Sequence, residues 1–120
     1  MKDSEIRNRS RQFAVDVIEL CKSLDMRGGN SVLINQIVRS ATSIGANIHE
    51  ANYAASKADF INKLQIALKE CYETEYWVDL MEAVGCITAE SASQLLQECG
   101  IIRRMLVKSI NTAKENEGRS

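Results

Sequence analysis

His49-Glu50 stands where a zinc-protease helix would carry H-E-x-x-H, two imidazoles one turn apart binding the metal and the glutamate acting as base. Position 53 is Tyr, so the second imidazole is missing, and His49 is the chain's only histidine. A lone histidine near a helix C-terminus is read as a surface residue facing the helix dipole. Ferritin-like bundles reach a di-metal site by another route, with facing glutamates and Glu-x-x-His pairs. Glu70 and Glu73 stand one turn apart and Glu50 projects from the preceding segment, yet no Glu-x-x-His occurs. The four cysteines, Cys21, Cys71, Cys86 and Cys99, form no C-x-x-C pair, which leaves zinc and dithiol chemistry without support. Neither G-x-x-x-x-G-K-[ST] nor G-x-G-x-x-G is present to cradle a phosphate. With no nucleophile–base pair either, the expectation is a non-enzyme with no catalytic residue, no metal and no cofactor.

Arg39 offers the carboxylates a simpler partner. If the segments around it and around Glu70 are antiparallel helices joined near Ala55, Arg39 faces Tyr72 and Glu73, with Glu70 a turn away. A guanidinium suits bidentate bonding to such carboxylates. Arg39, Asn47, Glu50, Glu70 and Glu73 are therefore expected to form a polar network that sets helix register. Trp77 with Tyr72 and Tyr76 is either a stacking platform for bases or an anchor in a protein interface, where Trp and Tyr are enriched. Ile66, Tyr76, Trp77 and Leu80 lie off the core stripe of their segment, which favours a homo-oligomer interface.

The elements that must position these residues follow from periodicity. Four amphipathic segments are predicted, over residues 4–25, 31–54, 57–84 and 89–115. The first carries Ile6, Phe13, Ala14, Val17, Ile18, Cys21 and Leu24, and Gly28-Gly29 is expected to stop it. The second opens on Asn30 or Ser31 as cap and carries Leu33, Ile37, Ala41, Ile44, Ile48 and Ala51. Beside that stripe runs a polar one, Gln36, Ser40, Ser43, Asn47 and Glu50, the mark of a helix packed on more than one side. Gly45 within it costs about 1 kcal/mol against Ala, a loss that close approach of a neighbouring helix would offset. Ser56-Lys57-Ala58-Asp59 is a variant capping box for the third segment, whose stripe is Phe60, Leu64, Ala67, Leu68, Cys71, Val78 and Met81. Thr88 caps the fourth, in which Ala92, Leu95, Cys99, Ile102, Leu106, Ser109 and Ala113 form an unbroken seam. A polar tail is expected from Asn116. Long helices with short connections pack antiparallel to their sequence neighbours, so the predicted fold is one all-α, antiparallel up-down-up-down four-helix bundle over residues 1–120.

Composition agrees. Proline is absent and only six residues are aromatic, while 45% of the chain is hydrophobic. Fifteen Lys and Arg against sixteen Asp and Glu is not the balance of a strongly basic nucleic-acid binder. No uncharged stretch reaches the roughly 18 apolar residues of a membrane span, and the charged N-terminus has no signal-peptide core. Cys21, Cys71 and Cys99 fall on apolar stripes, where a reduced thiol behaves as a small hydrophobe. A cytoplasmic protein with no membrane partner is expected.

Two strings carry a family resemblance: QIVRSATSIGANIHEA, from Gln36 to Ala51, and DFINKLQIALKECYETEYWVDL, from Asp59 to Leu80. They resemble the bacterial four helix bundle protein family, first found encoded in intervening sequences of large-subunit ribosomal RNA genes. Its pattern is met by Gln36, Arg39, Ser40, Ser43, Ile44, Asn47, Ile48 and Glu50, then by Asp59, Phe60, Lys63, Leu64, Ile66, Ala67, Lys69, Glu70, Glu73, Thr74, Tyr76 and Trp77. The family is similar to the accessory variability determinant of diversity-generating retroelements, a barrel-shaped homopentamer thought to bind nucleic acid and a reverse transcriptase. The resemblance implies a small helical homo-oligomer, a pentamer by that likeness, without established enzymatic activity. Its implied partners are structured RNA or a nucleic-acid-processing protein; the alternative is an assembly protein that contacts only proteins. This chain departs from the retroelement proteins, which are strongly basic, in its net charge of −1 and pI near 5.9.

That near-neutral total conceals an uneven distribution. Up-down-up-down threading gathers residues 1–13, 46–63 and 105–120 at one end, with nine Lys and Arg against six Asp and Glu. Arg7 and Arg11 are expected to face Lys108 there, with Arg104 one turn higher, as the nucleic-acid-binding patch if one exists.

Overall fold

Helices α1 (Asp3–Lys22), α2 (Asn30–Ala51), α3 (Lys57–Ala83) and α4 (Ala89–Arg119) make up the computed structural model, which describes residues 3–119. Each helix packs on its sequence neighbours and α1 closes the ring against α4, while the diagonal pairs keep their backbones further apart. This is the predicted antiparallel up-down-up-down bundle, 54 Å along its long axis. Among the described residues, no helix is long and apolar enough to cross a membrane.

The core follows the apolar stripes. All seven residues of the α4 seam are buried, as are Ile6, Phe13 and Val17 of α1, Ile37, Ala41, Ile44 and Ile48 of α2, and Leu64, Ala67 and Val78 of α3. Cys21, Cys71 and Cys99 are buried free thiols, with Cys86 partly so. Burial, and secondarily the neighbouring Cys86, pushes Cys21 up to about 11, so it stays protonated at neutral pH. Ala14, Ile18, Leu24, Leu33, Phe60 and Leu68 sit only half-buried at the margins, and Ile34 and Ile61 go inside instead. Each helix touches two neighbours, so its buried arc is wider than one stripe and takes in the adjacent position, 100° round.

The helix ends correct several expectations. Ser56 caps α3 by accepting from the Asp59 amide at 3.1 Å, but the Asp59 carboxylate receives the Ala55 amide rather than completing the box at Ser56. Thr88 accepts from the Ser91 amide at 3.1 Å, capping α4. Neither Asn30 nor Ser31 caps α2. Gly29 holds that place at φ 88, and the Asn30 amide group donates back to the Asp25 carbonyl at 3.0 Å. The glycine pair therefore begins α2 rather than ending α1. Helix α1 stops at Lys22, short of residue 25, where the Ser23 and Leu24 amides bond to carbonyls three residues back. Helix α2 stops at Ala51, short of 54, in the same way at Asn52, Tyr53 and Ala54. The expected tail instead continues α4 to Arg119, while Met1, Lys2 and Ser120 lie outside the described residues.

The second, polar stripe of α2 is its α3-facing flank. Ser40 and Thr74 are fully buried and share a 2.8 Å hydrogen bond, with the Ile37 and Glu70 carbonyls also within reach of their hydroxyls. On the opposite flank, α1 comes close at Gly45: a Cβ there would lie 3.6 Å from the Ser10 carbonyl oxygen. That is van der Waals contact rather than a clash. Gly45→Ala is expected to leave stability unchanged or raise it by up to about 1 kcal/mol, the propensity difference. Leu64→Ala, at a fully buried site, should lower it by about 2–5 kcal/mol. Urea unfolding of both variants checks the pair.

Candidate functional site

The α2–α3 seam gathers most of the polar residues singled out in the sequence. Arg39 reaches from α2 to both carboxylates of α3, with Nη1 donating to Glu70 Oε2 at 3.0 Å and Nη2 donating to Glu73 Oε1. The Arg39 side chain is half-exposed, at 51%, whereas Glu70 is only 12% exposed. Trp77 donates its indole N–H to the same Glu73 oxygen at 3.3 Å. Burial of the Glu73 carboxyl opposes its charge, but the hydrogen bonds from Arg39 and Trp77 outweigh it and hold the group below the ordinary 4.5.

The expected five-residue network divides into three. Glu50 accepts from Lys63 Nζ at 3.1 Å in a separate α2–α3 ion pair. Asn47 turns back on its own helix, donating to the Ser43 carbonyl at 2.9 Å. The short Asn side chain does not span the seam, while the Lys and Arg arms do. With Arg39 between them, Glu70 and Glu73 are engaged as an arginine clamp. No group of three or more His, Cys, Asp and Glu among the described residues is arranged to hold a metal ion.

A second clamp is absent from the sequence reading. Arg103 of α4 donates through Nε to Glu75 of α3 at 3.0 Å and lies over the Tyr72 ring at 5.6 Å. Both residues flank the core stripe of their own helix, the one signal in the sequence. Which carboxylate an arginine arm reaches across an antiparallel pair depends on axial register.

The residues read as an interface occupy the outer face of α3. Tyr76 is 56% exposed and tilts against Trp77 with ring centroids 5.3 Å apart. Trp77 also packs against the core of its own bundle, and Ile66 and Leu80 are half-buried.

Of the four basic residues read as one patch, two lie on α1 and two on α4. Arg9 of α1 meets α4, 3.6 Å from Glu98. Arg7 and Arg11 border a cleft lined wholly by α1 and α2 residues. Lys108 and Arg104 are exposed on α4, and Arg104 folds its guanidinium back over Gly100.

Fold and seam define a small all-α bundle whose helices are tied by arginine–glutamate clamps. The family model described as 23S rRNA-intervening sequence protein matches residues 2–108, and the chain belongs to that family. A crystal structure of a protein of unknown function from the S23 ribosomal protein family of Bacteroides thetaiotaomicron is 43% identical, with a TM-score of 0.85. The match covers 92% of this chain and 99% of that one. No curated protein matches the chain.

Because Glu73 is held below its ordinary value, its contribution to stability is complete above the unfolded pKa and is lost as the pH falls through the folded one. Arg39→Ala should cost about 1–2 kcal/mol near neutral pH, between the ranges for exposed and fully buried pairs. The gap between variant and parent should close as the pH falls below about 4, as read by denaturant unfolding across pH. A gap that stays constant into acid would mean that the clamp carries no charge-dependent stability.

Proposed function

We propose that this chain is a non-enzymatic, cytoplasmic bundle that assembles with copies of itself and engages structured RNA or a nucleic-acid-processing protein. The observation that carries the reading is membership of the 23S rRNA-intervening sequence family over residues 2–108. Self-assembly draws further support from the outer α3 face, where Tyr72 and Tyr76 are each more than half exposed beside Ile66, Trp77 and Leu80. Grouped apolar and aromatic surface of this kind marks interaction sites. Five copies is the number implied by the likeness to the retroelement accessory protein. The non-enzymatic reading rests on the sequence, which offers no nucleophile–base pair and no cofactor loop. Four free cysteines suit a reducing compartment.

A second reading, assembly with proteins alone, is favoured by one specific observation. Arg7 and Arg11 border a cleft of α1 and α2 while Arg104 and Lys108 are exposed on α4, and a chain of net charge −1 has no surplus of basic residues for phosphate contacts.

Light scattering at micromolar concentration should report a mass several times the 13.4 kDa of one chain, and a monomer would overturn self-assembly. Protein purified from its native host should carry 260 nm absorbance that nuclease removes. An oligomer free of nucleic acid would leave the protein-only reading standing.

A further inference from the structure

The chain as a whole has no basic surplus, but α4 has a local one. From Cys99 to Lys114 it carries two Arg and two Lys and no Asp or Glu. Gly100, Arg103, Arg104, Val107 and Lys108 recur at i, i+3, i+4, i+7 and i+8, the spacing of one helix face. Side chains on a helix lean toward its N-terminus, so both arginines reach back over Gly100. Their guanidiniums gather there, with Arg104 Nη1 3.3 Å and Arg103 Nη2 3.5 Å from the position a Cβ would take.

Like charges side by side repel unless something negative offsets them. Glu75 of α3 does so for Arg103, accepting from its Nε at 3.0 Å. Arg104 and Lys108 are exposed and form no ion pair among the described residues. An aromatic ring adjoins the row. Tyr72 of α3 is 54% exposed and its ring lies 5.6 Å from the Arg103 guanidinium carbon, so Tyr72, Arg103, Gly100 and Arg104 follow one another across the α3–α4 seam. Asp79, exposed on the same helix, stands about 10 Å further along its axis. Trp77 belongs to the other side of α3, where it bonds to Glu73 beside Arg39 of α2.

We infer that this α3–α4 face holds unpaired RNA, with Arg104 and Lys108 on successive phosphates and a base against Tyr72. The two cations stand one turn apart, about 6 Å along the axis, which is comparable with the separation of neighbouring phosphates in a single strand. A guanidinium suits phosphate oxygens bidentately, and an ammonium meets them as a point charge. A basic track beside an exposed aromatic ring is how single strands are held, since every base has a π-face to offer the ring. Arg103 stays with Glu75 and steadies the Tyr72 ring rather than touching the strand. The inference rests on the RNA reading proposed above and gives it a location.

Fluorescence anisotropy of the full chain with a labelled short single-stranded oligoribonucleotide, read from about 50 mM salt upward, tests it. The double variant Arg104→Gln/Lys108→Gln should weaken binding at least about tenfold. Its slope of log affinity against log salt should be shallower by about 1.4, two contacts at roughly 0.7 each. Both residues are exposed, so the variant should keep the parent melting temperature. Arg11→Gln/Lys22→Gln removes the same charge from exposed positions of α1 and should change affinity less than about threefold. Tyr72→Ala should weaken the single strand about 5- to 100-fold at an unchanged salt slope, and Tyr72→Trp should retain it. A duplex of the same sequence, its bases already stacked, should not respond to Tyr72→Ala. Single-strand binding indifferent to the α4 pair or to Tyr72→Ala, or weakened as much by the α1 pair, would overturn this placement and leave the RNA reading standing. No binding by the parent protein at about 50 mM salt would overturn both.

Discussion

How closely α2 can be approached governs this bundle. One helix must receive α3 on one flank and α1 on the other while its apolar stripe fills the centre. Small residues permit this: Ser40 meets Thr74 inside the α3 seam, Ala41 is fully buried, and Gly45 lies against the Ser10 backbone of α1. The buried hydroxyl pair is tolerable because both groups are hydrogen-bonded; an unmet hydroxyl there would cost about 1–3 kcal/mol. With α2 seated between its neighbours, the registers of α3 and, through it, of α4 are constrained by the same packed core.

Charge is distributed over the outside of that core by seam. Arg39 with Glu70 and Glu73, and Lys63 with Glu50, bridge α2 and α3; Arg103 with Glu75 bridges α3 and α4; Arg9 with Glu98 bridges α4 and α1. No ion pair between described residues spans the α1–α2 seam. That seam is also where the large cleft opens, bordered by arginines without a carboxylate in its lining. Three seams carry basic residues paired across them, and at the fourth Arg7 and Arg11 border the cleft. Glu50, Glu70, Glu73, Glu75 and Glu98 each neutralise an arginine or lysine of a neighbouring helix.

The positions that match the family pattern converge on the α2–α3 seam. Gln36, Arg39, Ser40 and Glu50 of α2 meet or approach α3 through Lys63, Glu70, Glu73 and Thr74. Much of that pattern is accounted for by bundle construction: a clamp, a buried hydroxyl pair and a peripheral ion pair. The aromatic residues on the outer α3 face, Tyr72 and Tyr76, stay more than half exposed.

The four helices, their antiparallel order, the α4 seam, the Ser56 and Thr88 caps and the facing of Arg39 toward Glu70 and Glu73 were all legible in the sequence. Each depends on local periodicity, on cap chemistry, or on a turn short enough to fix the register of the helices it joins. Tertiary structure alone decided what lies across longer connections. It set Arg9 against Glu98 of α4, carried Arg103 to Glu75, and kept Asn47 and Glu50 apart from the Arg39 clamp. It also opened the α1–α2 cleft, whose two ridges are visible in the sequence only as separate helix faces. The reason is geometric: periodicity gives the direction in which a side chain leaves its own helix, but the residue it meets depends on how far the neighbouring helix has slid along its axis, and the packing of the whole core determines that slide.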